Sequence, residues 1–336
     1  MVEVGLGQIA TTTGQHRGRV LRDAVSDNHP LMQLLKENNG IKRVTGGDLL
    51  IEEAKMAQNP TVGWVGASGT VPLTDTPVIS AAYFDWKYLM GSVTWTRAEK
   101  LKNSGGDMTK YIDLIGGKFE VLEDSMMNDF HAGLLSNGTA VGGLQLGGIA
   151  ALVSTTPTTG TVGGINRALA GAAWYRNQAF NTATDWSEGA VNAGNVKRFL
   201  DKGINSTMRD SKRQVQVGFA GQTHFEYLTS AIQAIQIIQN ENDTGKAGFE
   251  KLVYRGVPIY FGNGVNYSGE TAATLTRTYL LNLKPGGVNL TYMNGGEFEM
   301  INEIDSANQA ATSKLMFTMA NMTIGGLAKL NWVGFD

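Results

Sequence analysis

Apolar residues recur at Met108, Ile112, Ile115, Phe119, Leu122, Met126, Phe130 and Leu134. The steps are three or four residues throughout, the period of one helix face. Lys110, Asp113, Lys118, Glu120, Glu123 and Asp124 fall mostly off that stripe. Asp107 is placed to cap the start, and Asn137-Gly138 to end it. At about 1.5 Å per residue the pattern predicts a helix roughly 40 Å long. An ordinary globular helix has about 11–12 residues, so this one should act as a spine. Gly116-Gly117 sits in its middle, where each glycine costs about 1 kcal/mol against alanine. Either close approach by another element or a built-in bend would justify that cost.

Before the spine the period changes to two. Residues 41–99 read as two long strands joined by a long excursion. In the second strand Phe84, Trp86, Tyr88 and Met90 share one face, and after Gly91 the apolar phase moves to Val93 and Trp95. A phase switch at a glycine predicts a bulge or a sharp twist. The excursion is rich in Gly, Pro, Thr and Ser, and carries Trp64, Val65, Val71 and Leu73 with little nearby to bury them. A long structureless loop in a compact domain is often functional. It packs either on a neighbouring copy, the reading preferred here, or back on its own domain.

Residues 1–40 read as an arm, with short amphipathic stretches at 19–25 and, opened by Pro30, at 31–35. After the spine, residues 139–190 are Gly/Thr/Ala-rich and predict short strands and turns. Residues 191–284 read α, β, α, β, β, an α+β unit. Asn195 is placed to cap its first helix, and Thr223-x-x-Glu226 has the spacing of a capping box for the second. Residues 285–336 carry further short strands crowded with Met293, Met300, Met316, Met319 and Met322. Methionine suits contacts that repack, and more often fills a core.

Composition adds two points. Charged residues are 17 % and there are 43 glycines among 336 residues, against about 25 % charged and about 7 % Gly in ordinary domains. So little charge fits either a surface covered by copies of the chain or a loop-rich monomer. Net charge is -2 and the pI near 6.1, which gives no basic footprint for tight nucleic-acid binding. The absence of cysteine excludes disulfides, thiol nucleophiles and cysteine metal sites. No signal-peptide pattern or membrane-length apolar run is visible.

Catalytic signals are poor. His16, His29, His131 and His224 are dispersed, without HxH or HExxH spacing. Gly262-Asn263-Gly264 starts like a dinucleotide fingerprint but lacks the third glycine and a following helix. Thr244-Gly245-Lys246-Ala247 has alanine where a P-loop needs Ser or Thr for magnesium. Glu52-Glu53 and Glu123-Asp124 are sequence neighbours that point apart on a strand or helix. No catalytic, metal or cofactor residue is therefore assigned, and the chain reads as a non-enzyme.

The ordered set Asn28-His29-Pro30-Leu31, Thr45-Gly46-Gly47, Phe84-Asp85-Trp86-Lys87 and Gly143-Leu144 resembles a group of tailed-bacteriophage major capsid proteins. The most specific stretch runs from Pro157-Thr158-Thr159-Gly160 through Gly163-Gly164-Ile165-Asn166-Arg167-Ala168 to Trp174-Tyr175-Arg176-Asn177-Gln178. The resemblance covers nearly the whole chain, and its order and spacing carry it.

The resemblance implies the HK-ninety-seven-like capsid fold. Its parts would be an N-terminal arm (1–40), an extended two-stranded loop with its base (41–99), a peripheral domain on the spine helix (100–142), an inserted axial domain (143–284) and a return to the peripheral domain (285–336). It implies hexamers and pentamers tiling an icosahedral shell around double-stranded DNA, in a virion assembled in the bacterial cytoplasm. The extended loop would lie over the neighbouring subunit, with Trp64, Val65, Val71 and Leu73 as contacts, and Gly116 and Gly117 would be a hinge in the spine. A separate scaffolding protein is implied, with a portal and a possible decoration protein. Some relatives weld subunits through a lysine on this loop. Residues 56–86 contain none; Lys55 and Lys87 sit at its base. An encapsulin-type compartment shares the fold and is the alternative.

Overall fold

The computed structural model describes residues 30–336 except 58, 71, 72, 76, 100–107, 209–211, 213, 234–250, 263–274 and 307. The stretch 19–25, Asp107 and Val71 lie outside the described residues.

Pro30 opens helix α1 (Pro30–Glu37), as its position predicted. The stretch 30–37 is not a free arm, however. Leu31, Met32, Leu34 and Leu35 are buried in the main core beside Leu283 and Leu290. An apolar stripe of this size gains too much by burial to lie on the surface.

Strands β1 (Ile41–Val44), β2 (Leu49–Lys55), β3 (Ile79–Asp85) and β4 (Lys87–Thr96) follow, then the spine helix α2 (Met108–Leu135). α2 is unbroken over 28 residues. It buries Phe119, Met126, Phe130 and Leu134, the stripe read from sequence. It ends before Gly138, which takes φ +72, a conformation that suits glycine.

The phase switch lies at Trp86, not Gly91. There the chain leaves the two-stranded ribbon β2–β3 and enters a second sheet, so Phe84 and Trp86 are buried while Tyr88 and Met90 face outward. β4 then pairs with β15 (Ala311–Ile324) in continuous antiparallel register from Thr96 to Lys87, with no bulge. Gly91 serves another purpose. A Cβ there would overlap Leu122 Cδ1 and lie 3.2 Å from Met126 Sδ. Its missing side chain lets α2 settle on the sheet.

Sheet one has β12 (Val288–Met293) and β15 at its centre. β1 pairs β12 in parallel, and β4, β13 (Glu299–Met300) and β14 (Ile304–Asp305) pair β15. Alternate residues of β15, including Met316, Ala320 and Met322, face α2 and are buried. Of the methionines here, Met316 and Met322 fill core, while Met293, Met300 and Met319 are half-buried against it. Short helix α3 (Ile149–Leu152) packs near the end of the spine, followed by the hairpin β5 (Thr161–Val162) and β6 (Ile165–Asn166).

Sheet two runs β7 (Gln178–Asn181), β16 (Trp332–Phe335), β11 (Arg277–Leu281), β8 (Val217–Ala220), β10 (Val257–Phe261), β9 (Lys251–Tyr254). Helices α4 (Val196–Ser206) and α5 (Gln222–Gln233) share a core cluster with it. Read from sequence, 332–335 belongs with the returning segment. It lies instead between β7 and β11, because Trp332 buries against Phe199 and both backbone edges of the strand are paired there. The two predicted caps also differ. Asn195 precedes α4, but its Oδ1 accepts from Asn192 N–H and its Nδ2 donates to Ala190 O. α5 starts at Gln222, so Thr223 is already helical, and Glu226 accepts from Gln222 Nε2.

Sheet two is knotted at Asp336. Its Oδ1 accepts from Thr182 Oγ1 at 2.9 Å and Val191 N–H at 3.0 Å, and Oδ2 lies 3.2 Å from His224 Nε2. Burial pushes this carboxyl up, but the bonds from His224, Val191 and Thr182 outweigh it and hold the group below its ordinary value. A depressed folded value stabilises above the unfolded carboxylate pKa of about 4, and that contribution fades as pH falls through the folded value. Asp336→Asn should cost about 1.5–3 kcal/mol at neutral pH, since charged acceptors lose the most. The cost should shrink below about pH 4. Denaturant unfolding at two pH values checks this; an equal cost at both would refute it.

Candidate assembly surface

β2 and β3 form an antiparallel ribbon that pairs Leu50 with Phe84, Ile51 with Tyr83 and Glu52 with Ala82. Side chains alternate between its faces. Leu50, Glu52, Ala54, Ala82 and Phe84 turn inward and are buried, while Leu49, Ile51, Ile79 and Tyr83 are exposed.

The ribbon root is clamped by polar contacts. Lys42 Nζ donates to both Glu52 carboxylate oxygens at 2.6 and 2.8 Å, and Thr323 Oγ1 donates to Glu52 Oε1 at 2.9 Å. Asn321 Nδ2 donates to Asp85 O at 2.7 Å, and Trp86 Nε1 to Gly47 O at 2.8 Å. Lys87, one of the two lysines at the base, donates to Gly143 O at 2.6 Å.

A brace comes from the stretch that carried the most specific resemblance. Gly163 O accepts from Tyr83 N–H at 2.9 Å. Gly163 has φ +56, and a Cβ there would lie 2.8 Å from both Ala82 and Phe84. Arg167 behind it is wholly buried, donating to Leu152 O and Asn177 Oδ1, with its guanidinium 5.4 Å from the Tyr175 ring centre. Burial lowers the pKa of Arg167 and raises that of Tyr175, whose hydroxyl donates to Ile324 O at 2.8 Å. Sequence reading gave Glu52 and Arg167 no role. A charged residue at an inward strand position or between glycine pairs was the available signal.

Among its described residues the excursion beyond the ribbon is uncovered. Trp64 is 106 % and Leu73 99 % exposed relative to the free residue, and Val65 is exposed too. Folding back onto its own body is therefore not what this loop does in the single chain. A second uncovered apolar area is the outer face of sheet one, where Tyr88 stacks on Phe317 at 6.1 Å between centroids, beside exposed Met90 and Ile304.

No family model matches the chain, and no curated protein does. Solved structures do. The capsid of Cyanophage A-1(L) is similar at 14 % identity with a TM-score of 0.61, covering 90 % of this chain and 91 % of that one. The capsid of a native GTA particle follows at 12 % identity and 0.54, covering 90 % and 89 %. The holo-SrpI encapsulin complex from Synechococcus elongatus PCC 7942 is similar at 11 % and 0.51, covering 90 % and 86 %. The chain has the HK-ninety-seven-like capsid fold.

In this α+β capsid fold the spine helix passes through Gly116 and Gly117 without interruption. A Cβ on Gly117 would meet nothing within 4 Å, so close approach is not what requires glycine there. Among the described residues no group of three His, Cys, Asp or Glu side chains could hold a metal ion, and no helix is long and apolar enough to cross a membrane. Thr278, His224 and Asp336 do line up as hydroxyl, imidazole and carboxylate. Thr278 and His224 are each 1 % exposed, so a substrate cannot reach the hydroxyl as a nucleophile's chemistry requires.

Proposed function

We propose that this chain is the major capsid protein of a tailed bacteriophage and performs no reaction. Copies assemble into hexamers and pentamers of an icosahedral head that encloses double-stranded DNA without reading its sequence. The observation that carries this reading is the uncovered excursion, an apolar loop on a braced ribbon in a chain with a capsid fold. In this assignment the ribbon and excursion are the extended loop, α2 and sheet one the peripheral domain, and α4, α5 and sheet two the axial domain. Trp64, Val65, Val71 and Leu73 reach the next copy, and the outer face of sheet one around Tyr88 and Phe317 receives them. Residues 56–78 hold one charge, Asp75, which suits burial against an apolar face. Obligate interfaces of this kind bury about 2,000 Å² or more, and a closed shell engages many at once. A separate scaffolding protein, a portal and a decoration protein complete the expected partners, with assembly in the bacterial cytoplasm.

Electron microscopy of the purified chain, alone and with its neighbouring gene products, tests this. Closed shells with five- and six-fold capsomers are expected. A dilute monomer that never polymerises would refute it. The similarity to an encapsulin supports a second reading, a cargo compartment; shells that carry a co-purifying enzyme and no DNA would favour it.

Gly116 and Gly117 serve here as a hinge that lets the spine bend in the precursor shell. Gly117 is exposed and Gly116 half-buried, and a helix-interior glycine costs about 1 kcal/mol against alanine. Gly116→Ala with Gly117→Ala should therefore stabilise the free chain by about 1–2 kcal/mol while impairing shell expansion. A more stable chain whose shells expand normally would remove the hinge.

A further inference from the structure

Four asparagines in the chain precede a glycine: Asn39, Asn137, Asn263 and Asn294. Asn263 lies outside the described residues. In such a pair the glycine amide nitrogen can attack the asparagine Cγ, because glycine has no side chain to obstruct the approach. The folded chain treats the three described pairs differently. Gly40 is buried, its N–H donates to Leu35 O at 2.7 Å, and a Cβ on it would lie 2.7 Å from Leu35 Cδ2. Gly138 N–H donates to Ser136 Oγ at 3.1 Å, while Asn137 Oδ1 accepts from both Thr139 N–H and Thr139 Oγ1. A Cβ on Gly138 would lie 3.0 Å from Gly147 Cα. Asn294 and Gly295 are exposed at the centre of a β-turn, closed by Gly296 N–H donating to Met293 O at 2.9 Å. Gly295 has φ +85, which the third position of such a turn favours in glycine. Its N–H has no partner among the described residues, and a Cβ on it would meet nothing within 4 Å. Asn294 Nδ2 reaches Thr45 Oγ1 at 3.5 Å, the weak end of hydrogen bonding.

We propose that Asn294 is a site of self-modification, where the folded chain turns an asparagine into aspartate and β-linked aspartate with water as co-reactant. The Gly295 nitrogen gives up its proton and bonds to Asn294 Cγ. The Cγ–Nδ2 bond breaks, and Nδ2 leaves as ammonia, taking up that proton. A cyclic imide results. Water then adds its hydroxyl to one of the two imide carbonyl carbons and returns a proton to the ring nitrogen. Opening at Cγ gives aspartate. Opening at the main-chain carbonyl carbon gives β-linked aspartate, whose main chain runs through Cγ. Nothing is oxidised or reduced. An amide already given to an acceptor must break that bond before it attacks, which protects Asn39 and Asn137. The turn packs on the link between β1 and β2. Asn294 N–H donates to Val44 O at 2.9 Å, and Gly46 N–H donates to Met293 Sδ at 3.3 Å. The new carboxylate adds a negative charge shortly before Glu297, which pairs with Arg43.

Peptide mass mapping of the full, unassembled chain, aged at mildly alkaline pH with and without urea, tests this. An isoaspartate methyltransferase labels the β-linked product. In the folded chain Asn294 should convert at least about tenfold faster than Asn39 and Asn137, whose release needs local opening. In urea the three should convert alike, because each is followed by glycine and none is folded. Asn294 converting no faster than Asn39 or Asn137 in the folded chain would overturn the proposal. So would a lead that persists undiminished in urea, since the fold would then not be its cause. The proposal does not rest on the capsid reading: an inert Asn294 in a chain that builds shells would end the modification alone.

Discussion

Gly148→Ala is expected to destabilise the chain by about 3 kcal/mol, the upper end of what overpacking costs. Gly148 precedes α3 and runs against the last turn of the spine helix. A Cβ there would overlap the carbonyl oxygen of Gly133 and lie 2.6 Å from the carbonyl carbon of Leu134. These are backbone atoms inside a helix, so no rotamer change relieves the overlap. Conformation is not the issue, because Gly148 has φ -77, which any residue adopts. Gly91→Ala makes the contrast. Its obstacle is Leu122 Cδ1, the far end of a side chain that can turn away, so the cost should be nearer 1 kcal/mol. Urea unfolding of the unassembled chain measures both. If Gly148→Ala costs no more than Gly91→Ala, the close seating of α3 on the spine is wrong.

Trp64→Ala should do the reverse, leaving the free chain as stable as before while crippling the shell. Trp64 is fully exposed in the single chain, so its removal opens no cavity and breaks no contact there. If its ring seats on the next copy it is an anchor of the kind that costs 2 kcal/mol or more on truncation, roughly 30-fold per contact. Every subunit repeats the loss, and a closed shell accumulates it. The concentration needed for assembly should rise by at least about 30-fold, and shells should fall apart at lower temperature. Parent-like shells from Trp64→Ala would remove this residue from the interface. A parallel loss in the free chain's unfolding midpoint would show that the ring packs on its own subunit.

Much of the fold is written in local periodicity. The stripe through Phe119, Met126, Phe130 and Leu134 marks the spine because a helix that buries one face must repeat its apolar positions at that spacing. Pro30, Asn137-Gly138 and the alternation of the β2–β3 strands are equally local. Trp64 and Leu73 stand out because large apolar residues in a Gly/Pro/Thr loop have no neighbours in sequence to cover them. Local alternation assigns Gly91 a bulge or a sharp twist and misses its actual role, since its partner Leu122 lies on another element. Local spacing gives Glu52 no partner because Thr323, which it meets, is 271 residues away.

The sequence by itself determined the spine helix, the ribbon with its long apolar-tipped excursion, and the lack of a motif for catalysis, because each follows from spacing within a short window. Only the tertiary structure decided that β16 lies between β7 and β11 in sheet two, that Gly163 braces the ribbon through Tyr83, and that sheet one turns a polar side toward Glu52. Strand pairing and burial are settled between segments far apart in the chain, where the spacing of neighbours carries no information about which surfaces meet.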